Sequence, residues 1–165
     1  MPEWVFMRIL KNRPTQDLEV DMNDEFIAYA EVQINAPAAE VWDALVNPEK
    51  IKQYMFGTDV VTSWKENDTI IWQGVWEGKP YQDKGFILNI VPEKYLKYSH
   101  FSPLSGMPDE IGNYHILTFE LTQKDLCTVI KLSQDKNNSR EEKEHSEKMY
   151  KMMLEGIKNL IENED

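Results

Sequence analysis

SREEKEHSEKMYKMMLEGIKNLIE, residues 139–162, is the stretch whose period decides the fold. It opens with Ser139-Arg140-Glu141-Glu142, a Ser-x-x-Glu pattern in which a hydroxyl and a carboxylate each take up a free backbone N–H. Glu141, Glu142 and Glu144 crowd the first turns, and Lys151 and Lys158 follow later, as the helix macrodipole prefers. Glu144/Lys148 and Glu147/Lys151 stand one turn apart with the acid first, the favourable order for intrahelical pairs. Met149, Met153, Ile157 and Leu160 form an apolar stripe, with Met152, Leu154 and Ile161 along its edges. At about 1.5 Å per residue the helix would be roughly 35 Å long, enough to cross a small domain. Gly156 lies within the stripe, where a neighbouring backbone can come close. A helix cannot bury such a stripe alone, so the residues before it must supply a surface.

Those residues read mostly as strands. From Phe26 to Asn35, Ile27, Tyr29 and Glu31 alternate with Ala28, Ala30, Val32 and Ile34. The period then becomes helical, with Pro37 at the first helical position and Val41, Trp42, Leu45 and Val46 on one face. Asn47-Pro48 starts a second short helix carrying Ile51, Tyr54, Met55 and Phe56, and Gly57 stops it. Strands follow at Asp59–Trp64, Thr69–Trp76, Tyr81–Val91 and Tyr95–Ser102, separated by polar turns. Ile70, Trp72, Gly74 and Trp76 share one face, as do Leu96, Tyr98 and His100. Ser102–Asn113 is a connection longer than most and a candidate gate. Tyr114–Thr122 and Leu126–Ser133 make a last hairpin. This order, a strand, two short helices, a run of hairpin-linked strands and a long helix, predicts an α+β fold. A curved antiparallel sheet of six to seven strands wraps the C-terminal helix. Residues 26–165 form one domain, and residues 1–25, with Trp4, Val5, Phe6, Ile9 and Leu10, form an N-terminal extension that docks loosely or adds an edge strand.

The chain has 18 Lys and Arg against 29 Asp and Glu, a formal charge of -11. Nucleic-acid and anionic membrane surfaces need clustered cations, so both partners are excluded. Solubility is the ordinary use of such a charge. A lone Cys127 cannot close an internal disulfide, and no apolar run approaches a membrane span, so the expected setting is cytoplasmic.

Several segments resemble a known superfamily. Val32-Gln33-Ile34-Asn35-Ala36-Pro37, Val41-Trp42-Asp43-Ala44-Leu45, Asn47-Pro48-Glu49-Lys50-Ile51 and Gln53-Tyr54-Met55 are similar to the opening of START-like (SRPBCC) domains. Gly85-Phe86-Ile87-Leu88-Asn89-Ile90-Val91-Pro92 and Tyr95-Leu96-Lys97-Tyr98 resemble a hairpin of the same family. The branch is the one resembling the C-terminal domain of the activator of the Hsp90 ATPase. The resemblance spans residues 26–162 and rests on fold signatures. It implies a helix-grip (Bet v 1-like) fold, with a deep, largely apolar cavity between sheet and last helix. Many relatives carry a Trp pair where this chain has Tyr54-Met55, which implies a softer and more polar wall here.

The candidate cavity residues are Tyr54, Met55, Trp72, Trp76, Tyr98, His100, His115, Phe119, Met149 and Met153. Aromatic walls with few polar groups suit a small hydrophobic molecule, and thioethers adapt to varied ligands. Gly74 removes a side chain where space is needed. The competing explanation for the same aromatics and methionines is core packing. His100 and His115 fall on strands that can be neighbours, and either has the pKa of an acid–base group. Neither has an Asp, Glu or Cys partner at ligand spacing, so no metal site is expected. Cys127 lacks a base and reads as an inert thiol, and His145 reads as solvent-facing. Gly-x-Ser-x-Gly, phosphate-loop and dinucleotide motifs are absent. The leading expectation is a hydrophobic-ligand binding domain with no cofactor and no catalytic residue. The rivals are a cyclase or hydrolase using His100/His115, and a chaperone-interacting protein resembling the Hsp90 ATPase activator. The activator's separate N-terminal domain has no counterpart in the 25-residue extension, which weakens the last.

Overall fold

Period-two alternation over most of the chain produces seven strands, all paired antiparallel, in a computed structural model that describes residues 26–163. In chain order the elements are β1 (Ala28–Ile34), α1 (Ala38–Val46), α2 (Pro48–Tyr54), β2 (Asp59–Thr62) and β3 (Thr69–Trp76). Then come β4 (Lys79–Val91), β5 (Tyr95–His100), β6 (His115–Lys124), β7 (Cys127–Gln134) and α3 (Arg140–Glu162). The sheet order is β1-β7-β6-β5-β4-β3-β2, a meander whose last strand pairs with its first. The expectation for residues 1–25 lies outside the described residues.

Local chemistry explains the boundaries. Ser139 Oγ accepts the N–H of Glu142 at 3.1 Å and caps α3. The return arm of the motif lands one residue earlier than expected, on Asn138, whose N–H reaches Glu142 Oε1 at 3.3 Å. Pro48 holds the first position of α2 behind an Asn47 cap, whereas Pro37 is itself the extended residue before α1. The β3–β4 turn needs only Glu77 and Gly78, at φ 50° and 80°, as in the type I′ hairpins that match strand twist. β4 therefore starts two residues earlier than the pattern suggested. Trp64 turns left-handed at φ 60°, and β2 ends at Thr62. Phe56, expected on the face of α2, is instead left-handed and 59% exposed.

The core lies between the sheet's inner face and α3, built on Ile34, Ile70, Ile87, Leu96, Ile130, Leu132, Leu154 and Ile157, all essentially inaccessible. The α3 stripe is rotated from the expected one. Met149, Tyr150, Leu154, Ile157 and Ile161 are buried, Leu160 is half-buried, and Met152 faces solvent. Gly156 does meet a close neighbour, since a Cβ there would stand 3.4 Å from Tyr54 Cβ.

β1 is an edge strand, and α3 satisfies its outward backbone. The Tyr29 N–H donates to Glu147 Oε2 at 3.0 Å, and the Asn35 N–H to Glu162 Oε2 at 2.8 Å. Lys151 Nζ donates to the Glu31 carbonyl at 2.9 Å and Lys158 Nζ to the Gln33 carbonyl at 2.8 Å. Acids on the helix thus meet N–H groups and bases meet carbonyls, in the order acid, base, base, acid, and this removes an edge that would otherwise recruit another strand. Glu147 and Lys151, expected to pair along the helix, are used for this edge.

Candidate functional site

α1, α2, β2, β3, β5, β6 and α3 converge on one region of the interior, where packing leaves two adjacent voids of about 20 Å³ and 10 Å³. The deep cavity implied by the resemblance is thus reduced to room for roughly one water in each, against the several hundred Å³ of a ligand pocket. The larger void has an apolar end formed by Leu45, Ile51, Val60 and Ile70. The smaller reaches His100, Leu117 and Tyr150. Met55, Trp72, Tyr98 and Met153 line both and form the partition between them.

Of the expected residues, Tyr54 and Phe119 line the larger void and His100 the smaller, and the four partition residues complete the set. Trp76, His115 and Met149 line neither. Trp76 sits at the far end of β3, and Met149 is 3% exposed within the core. Gly74 does not open space for a ligand. Tyr81 fills it, with Oη 2.7 Å from where a Cβ would lie. Thr58 Oγ1 already donates to the Met55 carbonyl at 2.7 Å, so the Tyr81 hydroxyl is the donor in its 2.5 Å bond to Thr58 Oγ1.

Tyr98 stands at the centre. Its ring lies 5.0 Å from Trp72 and 5.7 Å from Phe119, and the residue is 8% exposed. Its hydroxyl has no hydrogen-bond partner among the described residues, although the Tyr54 hydroxyl nearby is held by the Ala44 carbonyl at 2.9 Å. Burial, with the neighbouring Tyr150 and Tyr54 phenols, holds the Tyr98 hydroxyl well above its usual pKa. Burial alone does the same for Tyr54. Both phenols are neutral donors throughout the physiological range.

His100 corrects the expectation that neither histidine has an acidic partner. Its Nε2 lies 2.9 Å from Oδ2 of Asp83, a carboxylate with no exposed surface. The imidazole stands edge-on to Trp72 at 4.9 Å. Asp83 was missed, but its signal was in β4, where Tyr81, Asp83, Gly85 and Ile87 all point inward. An acid in that phase is a buried charge, which needs a partner. His115 is the register partner of His100 but is engaged separately. Its Nδ1 lies 2.9 Å from the Asp135 carbonyl, which only accepts, so Nδ1 carries the proton. Burial lowers the His115 pKa below 6.5, with Asp135 opposing and His100 adding to the shift.

Cys127 is a half-buried free thiol whose Sγ lies 3.2 Å from Asn35 Oδ1. His145 is half-buried, not solvent-facing. No group of three or more His, Cys, Asp or Glu among the described residues is arranged to hold a metal. No helix among them is long and apolar enough to cross a membrane.

Comparison with known proteins bears on this architecture. ChR145 from Cytophaga hutchinsonii, known from a solution structure, is 51% identical, with 83% of this chain and 94% of that one covered and a TM-score of 0.75. The Aha1 dimer from Colwellia psychrerythraea is 15% identical over 82% of this chain and 96% of that one, at a TM-score of 0.66. CalU16 from Micromonospora echinospora is 19% identical over 82% and 73%, at 0.64, and like the Colwellia protein shows a shared fold. A search of the curated proteins found no match. Residues 35–162 match the family described as Activator of Hsp90 ATPase homolog 1-like protein. With that match over most of its length, the chain belongs to the activator of Hsp90 ATPase homolog 1-like family.

Proposed function

We propose that this is a small-molecule binding domain whose ligand enters between the sheet and α3 and parts the wall formed by Met55, Trp72, Tyr98 and Met153. The observation that carries the reading is the pair of voids that share those four side chains as a common wall. Two of the four are unbranched thioethers, which move between rotamers at low cost. Displacing Met55 and Met153 would join the voids into one apolar chamber. The ligand is a small hydrophobic molecule, and the working compartment is the cytoplasm.

Methyl-labelled methionine NMR with added apolar probes tests this, because Met152 faces solvent and serves as an internal control. The expected result is saturable movement of the Met55 and Met153 methyl signals while Met152 stays fixed. Signals unmoved by a panel of fatty, aromatic and sterol probes would refute it. The enzyme reading survives in narrower form, because Asp83 gives His100 the orienting carboxylate that a general base uses. Its test is turnover of an identified ligand by the wild type and by His100→Gln. Equal rates would remove it.

A further inference from the structure

We infer that the ligand presents a neutral oxygen, a hydroxyl or a ketone carbonyl and not a carboxylate, to Tyr98 Oη and the His100–Asp83 pair, with its apolar body toward Leu45, Ile51, Val60 and Ile70. This deepens the binding-domain reading and rests on it. The first observation is the Tyr98 hydroxyl, on a residue 8% exposed that lines both voids, with no protein partner among the described residues. That hydroxyl faces space for a single water at most, and a ligand oxygen can take the water's place as its hydrogen-bond partner. The second is the asymmetry of the chamber. Its larger end is lined by aliphatic and aromatic side chains, Trp64 and Phe119 among them, with the Tyr54 hydroxyl already held by the Ala44 carbonyl, and the imidazole of His100 belongs to the smaller end.

Charge then selects the head group. No Lys or Arg lines either void. The one cationic group available is a protonated His100, and it already faces the wholly buried Asp83 carboxylate at 2.9 Å. With His100 protonated, the pair is neutral. With His100 neutral, the pair is neutral or negative according to whether Asp83 holds the proton. Neither state leaves a positive charge for a ligand carboxylate, whose burial without a counter-charge is prohibitive. A neutral oxygen avoids that cost, and can accept from the Tyr98 O–H.

The test is calorimetric titration of the full chain with decanol, the straight-chain ketone of the same length, and decanoate, at about pH 8, where the acid is ionised. Decanol and the ketone are expected to bind at least about tenfold more tightly than decanoate. Tyr98→Phe is expected to melt no lower than the wild type, because it deletes a hydroxyl that no described protein group bonds. It is expected to weaken the two neutral ligands about three- to tenfold. A purely structural role for the hydroxyl would move the melting temperature and leave the affinities alone. Decanoate binding as tightly as decanol overturns the inference while leaving the binding domain in place. So does a Tyr98→Phe variant with unchanged affinities. If none of the three ligands binds the folded wild type, the binding-domain reading falls and takes this one with it.

Discussion

Met153→Ala separates a ligand chamber from an ordinary core. Met153 is half-buried on α3 and lines both voids. The substitution removes Cγ, Sδ and Cε. At about 0.8 kcal/mol per buried group, the loss is at most about 2.4 kcal/mol, and partial exposure brings it to about 1–2 kcal/mol. For a chain of this size that lowers the melting temperature by about 3–6 °C. With Met153 gone only Met55 of the two movable side chains remains to be displaced, so an apolar ligand should bind the variant more tightly than the wild type. At a hundred times its Kd the ligand returns about 2.7 kcal/mol, more than the substitution removed. Leu154→Ala is the control. Leu154 is wholly buried, lines neither void, and its truncation costs about 2–5 kcal/mol, with no route for a ligand to repair it. Thermal melts with and without ligand supply the readout. Equal rescue of both variants would refute the reasoning, as would a Met153→Ala protein that melts with the wild type and gains nothing from ligand.

Gly85→Ala would place a Cβ inside the backbone carbonyl of Ser99 on the neighbouring strand, where nothing can yield cheaply. A loss of about 3 kcal/mol in urea unfolding is expected, and a loss below about 1 kcal/mol would contradict the β4–β5 spacing described here. His115 gives a pH signature. Burial lowers its folded pKa below 6.5, so the unfolded chain takes up a proton first as the solution is acidified. The stability it contributes is therefore full above the unfolded value and lost as pH falls through the folded one. His115→Gln should flatten the dependence of unfolding free energy on pH just below 6.5. An unchanged slope between parent and variant would refute the assignment.

The sequence alone settled the elements and their order. Apolar residues recurring every 3.6 or every 2 positions report which face of an element is turned inward, and that signal is local. Ser139 before Glu142, Asn47 before Pro48 and the Glu77-Gly78 turn are likewise local chemistry, and their elements begin or turn within a residue or two of where the pattern puts them. Seven of the ten expected cavity residues reach the voids for the same reason, since they occupy inward phases of their elements or, like Met55, the turn that follows one. Tertiary structure decided the rest. Strand register brought Asp83 to His100, and inward phase by itself does not say which inward residues meet. Tyr81 entered the space above Gly74, and Met55 and Met153 closed the chamber to two small voids, because the volume left in a core depends on side chains from seven elements at once. Glu147 and Lys151, well spaced to pair with each other, instead bond the β1 backbone, because an edge strand with open N–H and C=O groups lies beside the helix. Spacing along a chain proposes partners, and the fold chooses among them by which polar group would otherwise be left unmatched.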